Sequence, residues 1–186
     1  MYGNSSRIDQ RAIRTRNRIA SAVIRLGHQR GVDRLTVGDL SREAGISRST
    51  FYSHFGSLED YLSRSFANMV EGMARHGAAK AGPDDCQLLH VRFILDHVGR
   101  APGYVAAVSR SRYRPQMLLA GERRLQRHVE ARIEALRPQL PKLRRAALAR
   151  FVAAGFIGLL RDWMEGGLQR PAAEVQAQFE EIAAAL

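Results

Sequence analysis

The sequence predicts an all-α fold, in which an N-terminal unit of three helices precedes a larger helical domain, with about nine helices altogether. Apolar residues recur at the three- and four-residue spacing of amphipathic helices along almost the whole chain, and strand-like alternation is absent. Ser, Thr, Pro and Gly stand at the intervals that start and stop helices. For 186 residues, a small module joined to a larger one is the natural division. We place these modules at residues 1–56 and 57–186.

The first predicted helix extends from about Arg11 to Gln29 and stops at Gly31. One face of this helix is apolar at helical spacing, which indicates the side turned towards a core. The residues on that face are Ile19, Ala22, Val23 and Leu26.

Three hydroxyl residues mark the starts of the next helices. Thr36, Ser47 and Ser57 each stand where an N-cap is required, because a side-chain oxygen there accepts a hydrogen bond from an unpaired backbone N–H. An Asp follows three positions after Thr36 and after Ser57, as in a capping box. Gly45 is predicted to take the positive φ of a sharp turn, and Gly56 that of a helix C-terminus.

A long connector helix is predicted from Ser57 to the break at Gly82–Pro83. Its apolar stripe consists of Leu58, Tyr61, Leu62, Phe66, Met69, Val70 and Met73. Five more helices are expected after the break, over about 84–98, 104–108, 115–137, 142–165 and 171–186.

Positive charge is concentrated in the first third of the chain. Residues 1–57 contain ten Arg or Lys against four Asp or Glu, whereas residues 58–186 contain nineteen against fourteen, and the net charge is +11. Such a basic N-terminal region is typical of a protein that binds a polyanion, since neutralised phosphates release their counterions. The alternative is a coding bias, because Arg outnumbers Lys 27 to 2.

Several protein classes are excluded by composition. The single cysteine, Cys86, allows no intramolecular disulfide and is expected to be buried as a small apolar residue. The longest apolar run, Phe151–Leu160, has ten residues, which is too short for a membrane span. The first twenty residues contain no apolar signal segment. We therefore expect a cytoplasmic protein without a membrane partner.

The segment Thr36–Phe55 has the pattern of a helix-turn-helix, with an apolar back and a polar front. The apolar positions are Val37, Leu40, Ala44, Ile46, Phe51 and Phe55. The second helix of the motif, which is the third predicted helix of the chain, has Arg48, Ser49 and Tyr52 among its outer positions. Small polar side chains allow close approach to a major groove. Arg can bind guanine through two hydrogen bonds, and hydroxyl groups can reach phosphates.

Residues 11–62 resemble the DNA-binding domain of the tetracycline-repressor family. The matching residues are Ile19, Ala22, Leu26, Gly31, Thr36, Val37, Leu40, Ala44, Gly45, Ile46, Ser47, Thr50, Phe51, Tyr52, Phe55, Ser57 and Leu62. The resemblance implies a DNA-binding domain over 1–56, with the helix-turn-helix at 36–55, and a regulatory and dimerisation domain over 57–186.

The resemblance also implies which residues contact DNA. Thr36, Tyr52 and His54 would bind phosphates, Arg48, Ser49 and Thr50 would face bases from the helix that Ser47 opens, and Thr15, Arg16 and Arg18 would touch the backbone. Two positions depart from the family pattern. Leu58 stands where a Lys often binds a phosphate, and Gly38 stands where some members reach a base. Base contacts are therefore expected mainly from the third helix.

The last two predicted helices resemble the dimerisation helices of that family, which pair with their symmetry mates as a four-helix bundle. Small residues at helical spacing would let two helices approach closely. The residues expected at the interface are Ala147, Phe151, Ala154, Gly158, Val175, Phe179 and Ile182. The alternative is that these helices are only part of the core.

Soft and aromatic side chains of the second domain are candidates for a ligand pocket. They suit a small apolar or aromatic ligand, although the same residue types also form ordinary cores. The candidates are Met69, Met73, Phe93, His97, Tyr104, Tyr113, Met117 and Trp163.

Metal binding and catalysis are not indicated. His90 and His97 lie seven residues apart, but no Cys or acidic residue stands at ligand spacing, so we expect no metal and no cofactor. No nucleophile elbow, phosphate loop or paired-carboxylate motif is present, so we expect no enzyme.

The leading hypothesis is a ligand-responsive repressor that binds a palindromic DNA operator as a homodimer. The alternatives are an architectural or partner-controlled DNA binder without a small ligand and, remotely, a helical enzyme.

Overall fold

The computed structural model describes residues 4–82 and 84–186, and within them it contains helices and no strand. This confirms the all-α class and the predicted number of nine helices among the described residues. The bounds are α1 Asn4–Arg30, α2 Val37–Ala44, α3 Arg48–His54, α4 Leu58–Lys80, α5 Arg92–Gly99, α6 Pro102–Ser109, α7 Arg114–Leu136, α8 Lys142–Glu165 and α9 Ala172–Ala184. A short 3₁₀ turn, Val32–Arg34, separates α1 from α2.

The first three helices share one small core. The apolar face of α1 is buried as its spacing predicts, with Ile19 fully buried beside Leu40 of α2 and Phe51 of α3. Thr36 caps α2 in a complete capping box with Asp39. Gly45 ends α2 at φ 59°, the left-handed conformation that favours glycine.

Two local predictions around the start of α4 were wrong in detail. Gly56 does not have a positive φ, because α3 ends through Phe55 in an extended conformation, with φ −142°. Ser57 does cap α4, accepting a hydrogen bond from the N–H of Asp60. The Asp60 carboxylate, however, accepts from the N–H of Gly56 at 3.1 Å rather than from Ser57. Ser57 and Asp60 therefore differ from a capping box in one bond: the carboxylate binds the N–H of the residue before the N-cap rather than that of the N-cap itself.

The second domain is organised around α4, which packs along α7, while α7 packs in turn against α8. The Phe66 ring of α4 lies directly against Gly121 of α7. A β-carbon at position 121 would stand 2.5 Å from the Phe66 ring. Gly121 is therefore required by helix packing rather than by backbone conformation.

The helix predicted over 84–98 is largely wrong, because α5 begins only at Arg92. Arg132 of α7 explains the difference. Its guanidinium donates hydrogen bonds to the carbonyl oxygens of Asp85 and Gln87, both at 3.0 Å, and pairs with the Asp85 carboxylate. The backbone of this segment thus finds a partner outside a helix. Cys86 is exposed there, not buried as expected, and Pro83 of the predicted break lies outside the described residues.

Direct contacts join the first three helices to the second domain. Asp33, in the 3₁₀ turn, accepts hydrogen bonds from Ser111 Oγ at 2.5 Å and from the N–H of Arg112 at 3.2 Å. The Tyr104 ring of α6 lies against Gly27 of α1, where a β-carbon would be 3.3 Å from it. The two units are therefore in contact through α1 and α6, and the boundary after residue 56 stays a prediction.

Candidate DNA interface

Helix α3 has a buried and an exposed side. Phe51 is fully buried, and its ring centroid lies 5.6 Å from that of Phe55, one turn further on. Tyr61 of α4 packs edge-on against Phe55, with ring centroids 4.9 Å apart. Tyr52, beside Phe51 in sequence, is 55% exposed. The aromatic core therefore holds α3 from behind and leaves its outer side accessible.

Hydroxyl groups at the start of α3 form a hydrogen-bonded cluster. Ser47 Oγ accepts from the N–H of Thr50 at 3.0 Å and lies 2.8 Å from both Ser49 Oγ and Thr50 Oγ1. Ser47, Arg48 and Ser49 are exposed, whereas Thr50 is half-buried. The residues predicted to face bases thus share the first turn of α3, where two of them are oriented by the cap.

Two arginines hold the helix-turn-helix at its turn and at its end. Arg18 of α1 donates to the carbonyl oxygen of Gly45, in the turn, at 3.2 Å. Arg64 of α4 donates to the carbonyl oxygen of His54, at the end of α3, also at 3.2 Å. Arg18 therefore has a structural partner in addition to the predicted DNA contact. Arg64 was missed by sequence reasoning, although its spacing from Asp60 is that of a helical ion pair.

The other predicted contacts lie on α1, at the start of α2 and at the end of α3. Arg16 and Thr36 are exposed, and Thr15 and His54 are half-buried. The Thr36 hydroxyl lies 2.6 Å from the Asp39 carboxylate. Hydrogen bonds from the hydroxyl and the backbone N–H of Thr36 hold the pKa of Asp39 below its ordinary value. The Asp39 carboxylate, which completes the capping box, is therefore ionised at neutral pH.

Four predicted pocket residues line one cavity of about 340 Å³ in the second domain. These are Met69 of α4, His97 of α5, Tyr104 of α6 and Met117 of α7. Ile24 of α1 also lines the cavity, so one wall belongs to the N-terminal unit. Burial raises the pKa of the Tyr104 phenol, which therefore stays neutral.

The structure does not bring the other four predicted pocket residues to this cavity. Trp163 is buried and donates from Nε1 to the carbonyl oxygen of Arg170 at 2.8 Å, in the turn between α8 and α9. Phe93 lines a separate cleft. Met73 and Tyr113 pack against the core outside the cavity. Their helical spacing did not reveal which neighbouring helix each side chain meets.

The separate cleft is larger, about 560 Å³, but its lining is strongly charged and includes Lys80, Asp84 and Glu180. It lies near the end of α4 and against α9. His90 belongs to this cleft whereas His97 belongs to the apolar cavity, so the two histidines do not converge. In the described part of the chain, no group of three or more His, Cys, Asp or Glu side chains could hold a metal ion.

The seven residues predicted for a dimer interface fall into two groups. Val175 and Phe179 are buried within the protomer, where the Phe179 ring packs 5.3 Å from that of Phe156. They fill the interior between α8 and α9 and are corrected to core residues. The accessible or partly accessible ones are Ala147, Phe151, Ala154, Gly158 and Ile182.

The accessible group belongs to a continuous apolar stripe along α8 and the end of α9. Leu143, Phe151 and Ile182 are 84%, 59% and 51% exposed. A β-carbon added at Gly155 or Gly158 would meet no atom within 4 Å, so both glycines face open space. This face combines large exposed apolar side chains with two positions that permit close approach.

These features define a helix-turn-helix unit, of the kind that binds DNA, attached to a helical second domain. Residues 19–62 match the family model described as bacterial regulatory proteins, tetR family. The match covers α2, α3 and the adjoining parts of α1 and α4, so this unit is similar to the DNA-binding domain of that family. Among the described residues, no helix has both the length and the apolar character needed to cross a membrane.

Two relatives of known name are similar in sequence. The regulator BetI of Agrobacterium fabrum is 26% identical over 145 residues, which cover 71% of this chain and 69% of BetI. The uncharacterized regulator YxbF of Bacillus subtilis is 27% identical over 82 residues, which cover 44% of this chain and only 22% of YxbF. Both names describe HTH-type transcriptional regulators.

Solved structures share the fold over nearly the full chain. The dihydroxyacetone kinase operon activator DhaS superposes with a TM-score of 0.66 at 16% identity, covering 92% of this chain and 94% of that one. The Thermus thermophilus repressor FadR, in complex with lauroyl-CoA, gives a TM-score of 0.59 at 19% identity, with 91% and 93% coverage.

Proposed function

We propose that the protein is a repressor that binds a palindromic operator as a homodimer and releases it when a small apolar or aromatic ligand binds. The proposal that the protein binds DNA rests on the arrangement of side chains in the first turn of α3. There Arg48 and Ser49 are exposed beside the hydroxyl cluster of Ser47, while Phe51 and Phe55 anchor the helix from behind. Donor groups on a rigid helix suit both phosphates and base edges in a major groove.

A homodimer is supported by the apolar stripe on α8 and α9. Exposed apolar patches of this kind mark interaction surfaces, and a second copy of the same face would be self-complementary about a two-fold axis. Gly155 and Gly158 would allow the two α8 helices to approach closely. A dimer would present two α3 helices about one DNA turn apart, roughly 34 to 36 Å, which explains why the proposed operator is palindromic.

The DNA-binding proposal is tested by selecting sequences from a random duplex pool. We expect enrichment of a palindrome and an affinity that falls about a thousandfold or more between 50 and 200 mM salt, because several phosphates are neutralised together. Arg48→Ala is expected to relax the base preference. Arg123→Ala, which removes an exposed charge from α7, is the matched control and should leave it unchanged. A pool without enrichment and an affinity without salt dependence would exclude this function.

A ligand is supported by the apolar cavity of about 340 Å³. Its volume falls in the range typical of small-molecule sites, and most of its lining is apolar or aromatic. His97 and Arg100 are exposed polar residues on the same wall, where they could contact the polar end of a ligand. The Thermus thermophilus FadR neighbour was solved in complex with lauroyl-CoA, a ligand with a long apolar acyl chain.

The contacts around the cavity suggest how a ligand could act on DNA binding. Met69 lines the cavity from α4, while Tyr61 and Leu62 of the same helix are buried among the aromatic residues behind α3. Ile24 and Tyr104 bring α1 and α6 to the same space. An occupant can regulate only by favouring one separation of the two DNA-binding units over another. The α4 helix is the proposed connection.

The ligand proposal is tested with medium-chain fatty acids, the corresponding alcohols and simple aromatic compounds. A ligand at one hundred times its dissociation constant should stabilise the protein by about 2.7 kcal/mol, which raises the melting temperature, and it should release the selected operator. Ala101→Phe, which fills the cavity from its wall, should abolish both responses. Ala106→Phe, in α6 and outside the cavity, is the control for Ala101, which directly precedes that helix.

If no compound stabilises the unmodified protein more than the Ala101→Phe variant, the alternative of a DNA binder without a small ligand replaces the proposal.

Whether the protein represses or activates transcription is a separate question, because the DhaS neighbour is named an activator and FadR a repressor. Action on chromosomal DNA implies a cytoplasmic location. The proposal includes no catalytic activity and no cofactor.

A further inference from the structure

Arg48 and Gly38 are in contact across the helix-turn-helix. Gly38 is in the first turn of α2, and Arg48 is the first residue of α3. The Arg48 guanidinium lies directly over Gly38. A β-carbon at position 38 would stand 2.7 Å from Arg48 Nη2 and 3.3 Å from both Cζ and Nε. The side chain of Arg48 therefore occupies the space that any side chain at position 38 would need.

The backbone of α2 does not require a glycine at this position. Among the described glycines, positive φ angles occur at Gly31, Gly45 and Gly167, but not at Gly38. Within a helix, glycine costs stability relative to alanine, because it gives up more conformational freedom on folding. A glycine that lowers helix stability without a structural need is expected mainly at functional sites. At position 38, the glycine leaves the space that the Arg48 side chain occupies.

The surroundings of Arg48 leave its donors available. The two nearest acidic residues in sequence have other partners. Glu43 pairs with Arg25. Asp39 has one carboxylate oxygen bonded to Thr36 and the other 3.7 Å from Arg42 Nη1. Within the described part of the chain, Arg48 has no ion-pair or hydrogen-bond partner. Its position over Gly38 is thus determined by shape, and its forked N–H groups remain free for the two acceptors of a guanine.

We propose that Gly38 is a specificity-determining position of the DNA interface, because it allows Arg48 to lie across the first turn of α2 and bind a base there. Gly38 itself acts as a positioning residue, and Arg48 makes the contact. The inference rests on the proposed DNA-binding function. It corrects the sequence-based view that Gly38 only removes a contact, since the space it leaves is occupied by an arginine from the neighbouring helix.

The test compares base preference and stability in four variants: Gly38→Ala, Arg48→Ala, the double variant, and Gly72→Ala as the matched control. Gly72 is also a helical glycine, but a β-carbon there would meet no atom within 4 Å. Selection from a random duplex pool should show one position, preferring guanine, at which Arg48→Ala loses about 5- to 100-fold discrimination. Gly38→Ala should lose or change preference at the same position, and the double variant should resemble Arg48→Ala.

The melting temperature of Gly38→Ala distinguishes a positioning role of Gly38 from a purely structural role. Arg48 Nη2 is the far end of a flexible side chain, so Gly38→Ala should displace it without disturbing the core. The melting temperature should equal or exceed that of the unmodified protein, as for Gly72→Ala. Unchanged preference in Gly38→Ala, or losses at two different positions in the single variants, would overturn this inference alone. A protein that enriches no sequence would overturn both the inference and the proposed function.

Discussion

Gly158→Arg is expected to convert the proposed homodimer into a monomer and to weaken operator binding by about 10²- to 10⁴-fold. The first effect follows because the substitution places a long charged side chain in the open space on α8 where a second copy would approach. The second follows because two linked half-sites bind far more tightly than one, by roughly that factor. Analytical ultracentrifugation measures the first effect and an operator titration the second.

The fold of the protomer should survive this substitution, since a β-carbon at position 158 would meet no atom of a neighbouring element within 4 Å. Circular dichroism would verify this. Gly72→Arg introduces the same side chain into α4 at another open position and should leave the dimer intact. Phe151→Arg, in the exposed stripe, should reproduce the monomer. A stable dimer in both the Gly158→Arg and Phe151→Arg variants would refute this interface.

Substitutions at two neighbouring residues of α3, Phe51 and Tyr52, are expected to affect folding and DNA binding separately. Phe51→Ala removes a fully buried ring and should lower the free energy of unfolding by about 3 to 5 kcal/mol. Domains are stable by only about 5 to 15 kcal/mol, so the helix-turn-helix of this variant should unfold at a much lower urea concentration than the unmodified protein.

Tyr52→Phe removes only a hydroxyl group from a side chain that is 55% exposed. Its free energy of unfolding should change by less than about 0.5 kcal/mol. Affinity should fall about 10- to 100-fold for every sequence alike, because the proposed hydrogen bond from Tyr52 to a charged phosphate would be lost. Urea denaturation and titration with selected and unrelated duplexes measure both quantities. Equal destabilisation by the two substitutions would contradict the division of α3 into a buried and an outer side.

Much of the N-terminal unit could be predicted from the sequence because its signals are local. Thr36, Ser47 and Ser57 cap their helices through bonds to residues three positions later. Gly45 has the positive φ that the turn requires. Such interactions depend on side-chain chemistry and short spacing alone, so they are visible in the order of residues.

The tertiary structure decided the features that depend on residues far apart in sequence. Arg132 holds the carbonyl groups of residues 85 and 87 and prevents the helix that apolar spacing predicted there. Which soft side chains share a cavity depends on the helices that meet, so Trp163 is satisfied in a turn while Ile24 of α1 lines the cavity. Helical spacing specifies a face but not its neighbour. The neighbour is selected by packing between elements, as in the contact of Arg48 with Gly38.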